Sequence, residues 1–277
     1  MKPFILNILL VLSLVFTASA VFSSVTLSSE QVKPGGVLMV SASTVRDSVN
    51  LNKREYRLFL FDDGVKRCFI GIPLLYKTGK YTLNCGKETA DFIVSAGETI
   101  SEEISIEGMA GINEQLAEKQ QKRMLKIIAG ISEKKLWTGR FLRPVQGRVT
   151  TAFGTRRTTN GTLRGGHKGV DLSSDDGAPV KAPARGRIIM AEKMIASGNS
   201  IVIDHGLGVV SVYFHLSSIK MKPGEIVSPG QIIGEAGSTG FSTGPHLHWG
   251  IYILGVCVDP FIFVKRDFFI GLRQKKN

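Results

Sequence analysis

An all-β chain with one connecting helix is the fold class this sequence predicts, on three observations. The 31 glycines and 10 prolines are spread along 277 residues as turn punctuation, which suits many short strands better than long helices. Strand-like apolar or alternating runs recur between those turns in both halves of the chain. Only one stretch, from Gly111 to about Lys135, is rich in good helix formers. With 43% hydrophobic and 21% charged residues there is enough apolar material for packed cores, and the composition excludes disorder.

The first element is a leader. Residues 1–20 carry Lys2, an apolar run from Phe4 to Phe16 and the small-residue pattern Ala18-Ser19-Ala20, the order expected of a secretory signal peptide cleaved after Ala20. The apolar run is short for a membrane span of roughly 20 residues. An exported chain, placed in the periplasm, cell envelope or extracellular space, with no stable membrane span after cleavage, is the expectation.

Residues 21–97 follow as a small β-sandwich. Runs such as "QVKPGGVLMVSAS", "REYRLFLF", "RCFIGIPLL" and "KYTLNC" are separated by turn signals at "KPGG", "DDG" and "KTGK". This segment contains no histidine, so an accessory or positioning role is its expected use. Cys68 and Cys85 lie in neighbouring strand-like runs and Cys257 lies far away. An odd count cannot pair within one molecule, and a Cys68–Cys85 bridge and two buried free thiols stand as equal alternatives.

Residues 98–138 form the linker. Within it Ile112, Leu116, Met124, Ile127, Ile128 and Ile131 fall near helical spacing, which predicts one amphipathic helix packed on a neighbouring domain. Residues 139–266 return to Gly- and Val-rich strand runs and contain every histidine, so the chemistry belongs there. Residues 267–277 close the chain as a basic tail, read as a solvated terminus. The formal charge of +12 favours anionic partners. For an exported chain these are cell-wall or other anionic envelope polymers and not nucleic acid.

Two histidine patterns carry the functional reading. In "GGHKGVD" His167 and Asp171 stand four apart; the glycines argue against a helix, and an extended strand would hold the two residues about 13 Å apart. The segment must bend if both are to hold one ion through bonds of about 2 Å, and Gly169 is placed to allow it. In "GPHLHWG" His246 and His248 alternate with Leu247 ahead of the β-prone "IYIL". On a strand both imidazoles share one face while Leu247 enters a core. Zinc in catalytic sites takes three protein ligands and leaves a position for water, and His167, Asp171 and one of His246 or His248 supply that set. His215 lies in the apolar run "VYFHL", and His205 in "IDHG" is read as structural.

Taken together, "FLRPVQGRVTTAFGTR", "HKGVDLSSDDGAPVKAPARGRI", "GNSIVIDHGLGVVSVYFHLSSI" and "GEIVSPGQIIGEAGSTGFSTGPHLHWGI" resemble, over residues 141 to about 264, the catalytic domain of the lysostaphin-like (LytM-type) zinc metallopeptidases that cut peptide bonds of bacterial peptidoglycan. The resemblance implies an antiparallel β-sheet peptidase domain, Zn2+ held by His167, Asp171 and His248, and His246 and His215 beside the open position. His246 is then the general base and His215 the group that stabilises the oxyanion, with exchange of the two roles allowed. Peptidoglycan is the implied substrate. Some members of the family lose zinc ligands and act as non-catalytic activators or wall-binding proteins; all five motif residues are present here, which argues against that alternative. Departures from the family pattern, among them Trp249 and Asp259-Pro260, leave the metal set intact.

Overall fold

A computed structural model describes residues 24–97, 100–103, 113–130, 132–159, 162–271 and 274; the leader expected at residues 1–20 lies outside them. The chain is all-β, with two helices among the described residues, α1 (Glu114–Ile128) and α2 (Phe261–Lys265).

The N-terminal region is a sandwich of two sheets. One orders the strands Ser24–Leu27, Val37–Ser43, Lys66–Gly71 and Phe59–Leu60; the other orders Gln31–Val32, Glu88–Val94, Gly79–Cys85, Ser48–Leu51 and Arg54–Arg57. Alternate residues of these strands, such as Leu38, Val40, Val49, Ile70, Leu83 and Phe92, meet in one buried core, as the period of two requires. Cys68 and Cys85 are buried in that core as free thiols. Burial pushes the Cys68 thiol well above its usual range.

The C-terminal region is built on a sheet ordering Val149–Thr151, Val170–Ser173, His246–Ile253, Val209–Leu216, Gly198–Gly206, Gly186–Met194 and Ile226–Val227. Its central strands read as unbroken apolar runs because both faces are covered. One face packs Leu172, Ile201, Ile203, Tyr213, Leu247, Trp249 and Ile251 into a large core. The other packs Met190, Met194, Val202, Val210, Val212, Phe214 and Tyr252 against Met124 and Ile128 of α1.

Helix α1 is shorter than the helix-forming composition and confined to 15 residues. Asn113 caps it, accepting from the Leu116 N–H at 2.9 Å, and Gly130 follows its last turn. The expected packing holds through Met124 and Ile128, whereas Leu116 is exposed. The Arg123–Glu192 ion pair and a hydrogen bond from the Ile195 N–H to Gln120 Oε1 at 2.9 Å fix the helix on the sheet.

The chain end differs from the solvated tail read from its basic residues. Phe268 and Phe269 are buried and pack against Phe61, Phe69, Trp137 and Phe263, stacked on Phe61 and edge-on or tilted to the others. Two aromatic side chains gain more from this core than the neighbouring charges lose by standing at its edge. Val37, Phe59, Phe61 and Phe69 of the sandwich thus share one core with the C-terminal sheet.

Candidate metal centre

The strands Val170–Ser173 and His246–Ile253 run antiparallel, with Asp171 opposite His248 and Ser173 opposite His246. Opposite residues share a face, so the two histidines and Asp171 gather on the face that α1 covers, while Leu247 enters the large core behind them. His167 reaches the same point because the chain bends at Lys168 and Gly169 before the Val170 strand begins. A Cβ on Gly169 would lie 2.5 Å from the Trp249 carbonyl and 2.8 Å from His248 Nε2. The glycine therefore permits the bend and also the close approach of the neighbouring imidazole.

The three side chains form a compact triangle. His167 Nε2 lies 2.9 Å from His248 Nδ1 and 3.0 Å from Asp171 Oδ1, and His248 Nδ1 lies 2.8 Å from the same oxygen. All three residues are buried, with 3%, 6% and 8% of their surfaces exposed in chain order. Burial pushes the Asp171 carboxyl up, but the imidazoles of His167 and His248 beside it outweigh that and hold it well below the carboxylate range. Burial lowers His248 to about 4, against the opposing effect of Asp171, so the imidazole is neutral at pH 7.

His167 Nδ1 faces the Ala152 carbonyl at 3.1 Å. A carbonyl only accepts, so Nδ1 holds a proton and Nε2 is the nitrogen turned to the centre. His167 Nε2, His248 Nδ1 and the Asp171 oxygen thus converge on one point. Two imidazole nitrogens with one carboxylate oxygen are a donor set that zinc accepts. Among the described residues this is the one group of three or more ligating side chains close enough to hold an ion.

Two further histidines stand at the rim. His246 Nε2 is 3.9 Å from Asp171 Oδ1, and its Nδ1 donates to the Gly244 carbonyl at 2.8 Å. His215 Nδ1 donates to the Thr239 carbonyl at 2.8 Å, and its ring centre is 4.9 Å from that of His246. Phe214, opposite His248 in the ladder, stacks on that imidazole at 5.2 Å. His215 would consequently face the other way, but its φ of +65° turns the side chain back to the His246 side. Such a conformation costs of order 1–3 kcal/mol for a non-glycine residue and collects at functional sites.

The fifth histidine is apart. His205 is fully buried, donates from Nδ1 to the Arg185 carbonyl at 2.9 Å and accepts at Nε2 from Ser211 at 2.8 Å. Burial lowers it to about 4.

The expected site residues, His167, Asp171, His215, His246 and His248, are thus brought together, and His205 is not. Sequence reasoning missed the orienting carbonyls of Ala152, Thr239 and Gly244, since a backbone acceptor leaves no mark in residue type. It also missed Phe214, whose adjacency to His215 was its only signal. On the α1 side of the triangle a cleft of about 330 Å³ is lined by Gln121, Met124 and Leu125 of α1 together with His167, His215 and Phe241.

Residues 165–260 match the profile of Peptidase family M23. The chain is 39% identical over 109 residues to the peptidoglycan DD-endopeptidase ShyA of Vibrio cholerae, covering 39% of this chain and 25% of the relative. It is 43% identical over 94 residues to the DD-carboxypeptidase/endopeptidase Mpg of Neisseria meningitidis, covering 34% and 22%. The matched stretch thus spans about a quarter of the length of these curated relatives. A crystal structure from Pseudomonas aeruginosa, described as a peptidase M23, superimposes with a TM-score of 0.65 at 25% identity, over 83% of this chain and 93% of that one. The bent His167–Asp171 segment and the His246–His248 strand both fall inside the matched residues, and residues 165–260 form a peptidase M23 domain.

Proposed function

We propose that the protein is a zinc-dependent endopeptidase that hydrolyses peptide bonds of bacterial cell-wall peptidoglycan in the cell envelope. The observation that carries this reading is the buried N, N, O triangle with two carbonyl-oriented histidines at its rim, inside a domain whose relatives are peptidoglycan endopeptidases. The leader-like residues 1–20 and the charge of +12 fit a chain exported to an anionic polymer.

His167, Asp171 and His248 would hold the metal. When bound, zinc lowers the pKa of a coordinated water toward about 7 and polarises the carbonyl under attack. His246, its Nδ1 proton committed to Gly244, offers Nε2 to take the proton from the attacking water. His215, held through Nδ1 by Thr239, turns Nε2 toward the site, where, once protonated, it would donate to the carbonyl oxygen as negative charge builds there. Exchange of the two roles is compatible with their equivalent anchoring. Phe214 fixes the plane of His248 by stacking on it.

The test is digestion of purified peptidoglycan by the mature protein with and without a zinc chelator, with fragments identified by mass. Chelator-sensitive release of peptide fragments is the expected result. Zinc binding without release from several wall types would overturn the enzymatic reading in favour of a non-catalytic wall-binding role.

A further inference from the structure

The triangle is flanked by two unlike spaces. The cleft on the α1 side is walled by apolar groups such as Met124, Leu125 and Phe241. On the other side a second cleft of about 550 Å³ is lined by Arg143, Gly147, Ser173, Ser174, Lys181 and Pro245, with Asp175 and neighbouring residues. It is continuous with the site. Pro245 immediately precedes His246, and Ser173 is His246's partner in the ladder, one step along from the pair Asp171 and His248. A peptide crossing the triangle along these strands passes His246 and then enters this second space.

Arg143 is held there as if prepared for an anion. Its guanidinium donates to the Gly147 carbonyl and lies over the Phe261 ring, 5.4 Å from the ring centre. These contacts fix its plane and reduce the entropy lost when a ligand binds. Nε of the same guanidinium is buried and has no hydrogen-bond partner. A carboxylate in the cleft can take parallel N–H···O bonds from the terminal nitrogens of the guanidinium, the geometry in which arginine outperforms lysine. Lys181 adds a second positive charge to the lining, and Asp175, exposed, is the single carboxylate among the lining residues.

We propose that this cleft is a carboxylate subsite, in which Arg143, assisted by Lys181, binds a free carboxylate of the substrate peptide on the Ser173 side of the scissile bond. The proposal rests on the peptidase reading and narrows it. The preferred substrates are peptides with an uncapped terminal or side-chain carboxylate near the bond cut, and amidated forms are poor ones.

The experiment compares defined crosslinked peptidoglycan peptides in three forms: unmodified, amidated at the terminal carboxylate, and amidated at the side-chain carboxylate. Turnover by the zinc-loaded full-length protein and binding by calorimetry are both measured. One of the two amidations is expected to weaken kcat/KM and binding by about tenfold or more, the usual worth of a charge-assisted hydrogen bond, and the sensitive form identifies the carboxylate read. In Arg143→Gln the ratio between unmodified and amidated peptide collapses toward one, in Arg143→Lys part of it survives, and in Lys181→Gln it shrinks less. Equal binding of all three forms by the wild-type protein overturns the subsite without need of any variant. A loss in Arg143→Gln that is the same for every peptide overturns it as well, and makes Arg143 a brace for the Gly147 turn. If the wild-type protein binds with the expected selectivity but cleaves nothing, the peptidase reading fails and the carboxylate site stands.

Discussion

The two β regions of this protein have similar scaffolds and put polar groups in different places. Both are mainly antiparallel, and both bury alternating or continuous runs of Val, Ile, Leu and Phe. Yet of the ten buried polar or charged residues among those described, only Arg67 lies in the N-terminal sandwich, where Asp63 pairs with it at 2.6 Å. The other nine, including His167, Asp171, His205 and His248, lie in the C-terminal region. Burying polar groups costs free energy unless each finds a partner, so a region that does so repeatedly is holding those groups for a purpose other than stability. The sandwich shows what the same architecture looks like without that demand.

The largest expected effect sharpens this contrast at the site. His248→Ala should lose both zinc, measured by metal analysis, and peptidase activity; His246→Ala should keep zinc and lose activity by about 10²–10⁴-fold. A fully active His246→Ala enzyme would refute its assigned role. Next comes a test of the shared core. Phe69→Ala should cost about 3–5 kcal/mol and lower the unfolding midpoint of both regions together, because Phe69 touches Trp137, Phe263, Phe268 and Phe269. Two separate transitions in calorimetry, with only the earlier one shifted, would break that expectation.

The histidine contribution to the pH response should trace to the C-terminal region, since the sandwich has no histidine. His205 is lowered from 6.5 to about 4 by burial, so the unfolded chain binds the extra proton between those values and stability falls as pH drops through that window. The integrated loss is about 3 kcal/mol. Urea unfolding of wild type and His205→Asn at pH 7 and pH 4 should show a smaller pH dependence in the variant; equal dependence would count against a neutral buried His205. Gly169→Ala, which places a methyl against His248 Nε2 and the Trp249 carbonyl, should reduce zinc affinity about 10-fold or more, a range typical of disturbed ligand positioning, as read by competition with a chromogenic chelator. The smallest effect belongs to the exposed Arg57–Glu133 pair. Glu133→Gln should change stability by less than about 1 kcal/mol, and a larger loss would show that the regions are joined electrostatically as well as by packing.

Much of the site was legible because its logic is local. A period of two puts His246 and His248 on one face, and a bend at Gly169 is the only way for His167 and Asp171 to meet. The choice of His248 over His246 as the proposed ligand is not local. It follows from the ladder that sets Asp171 opposite His248, and here the family resemblance supplied what spacing left open. The sandwich was legible from its turns, whereas the state of Cys68 and Cys85 was not, since neighbouring runs belong to different sheets. The burial of Phe268 and Phe269 was hidden because composition describes a segment's average and packing selects individual side chains. The helix was visible in outline, but its place beside the metal centre depends on Met124 and Ile128 meeting a sheet face formed by strands far along the chain.

The aromatic cluster that joins the regions has a consequence for anyone wishing to reuse the C-terminal half. Phe61 and Phe69 come from the sandwich, Trp137 from the segment before the sheet, and Phe263, Phe268 and Phe269 from the chain end. A fragment beginning near residue 136 would strip Phe61 and Phe69 from Trp137, Phe263 and Phe269 and present a greasy, self-associating surface. Grafting this domain onto another binding module therefore calls for repainting those rings with polar side chains or carrying the sandwich along as ballast.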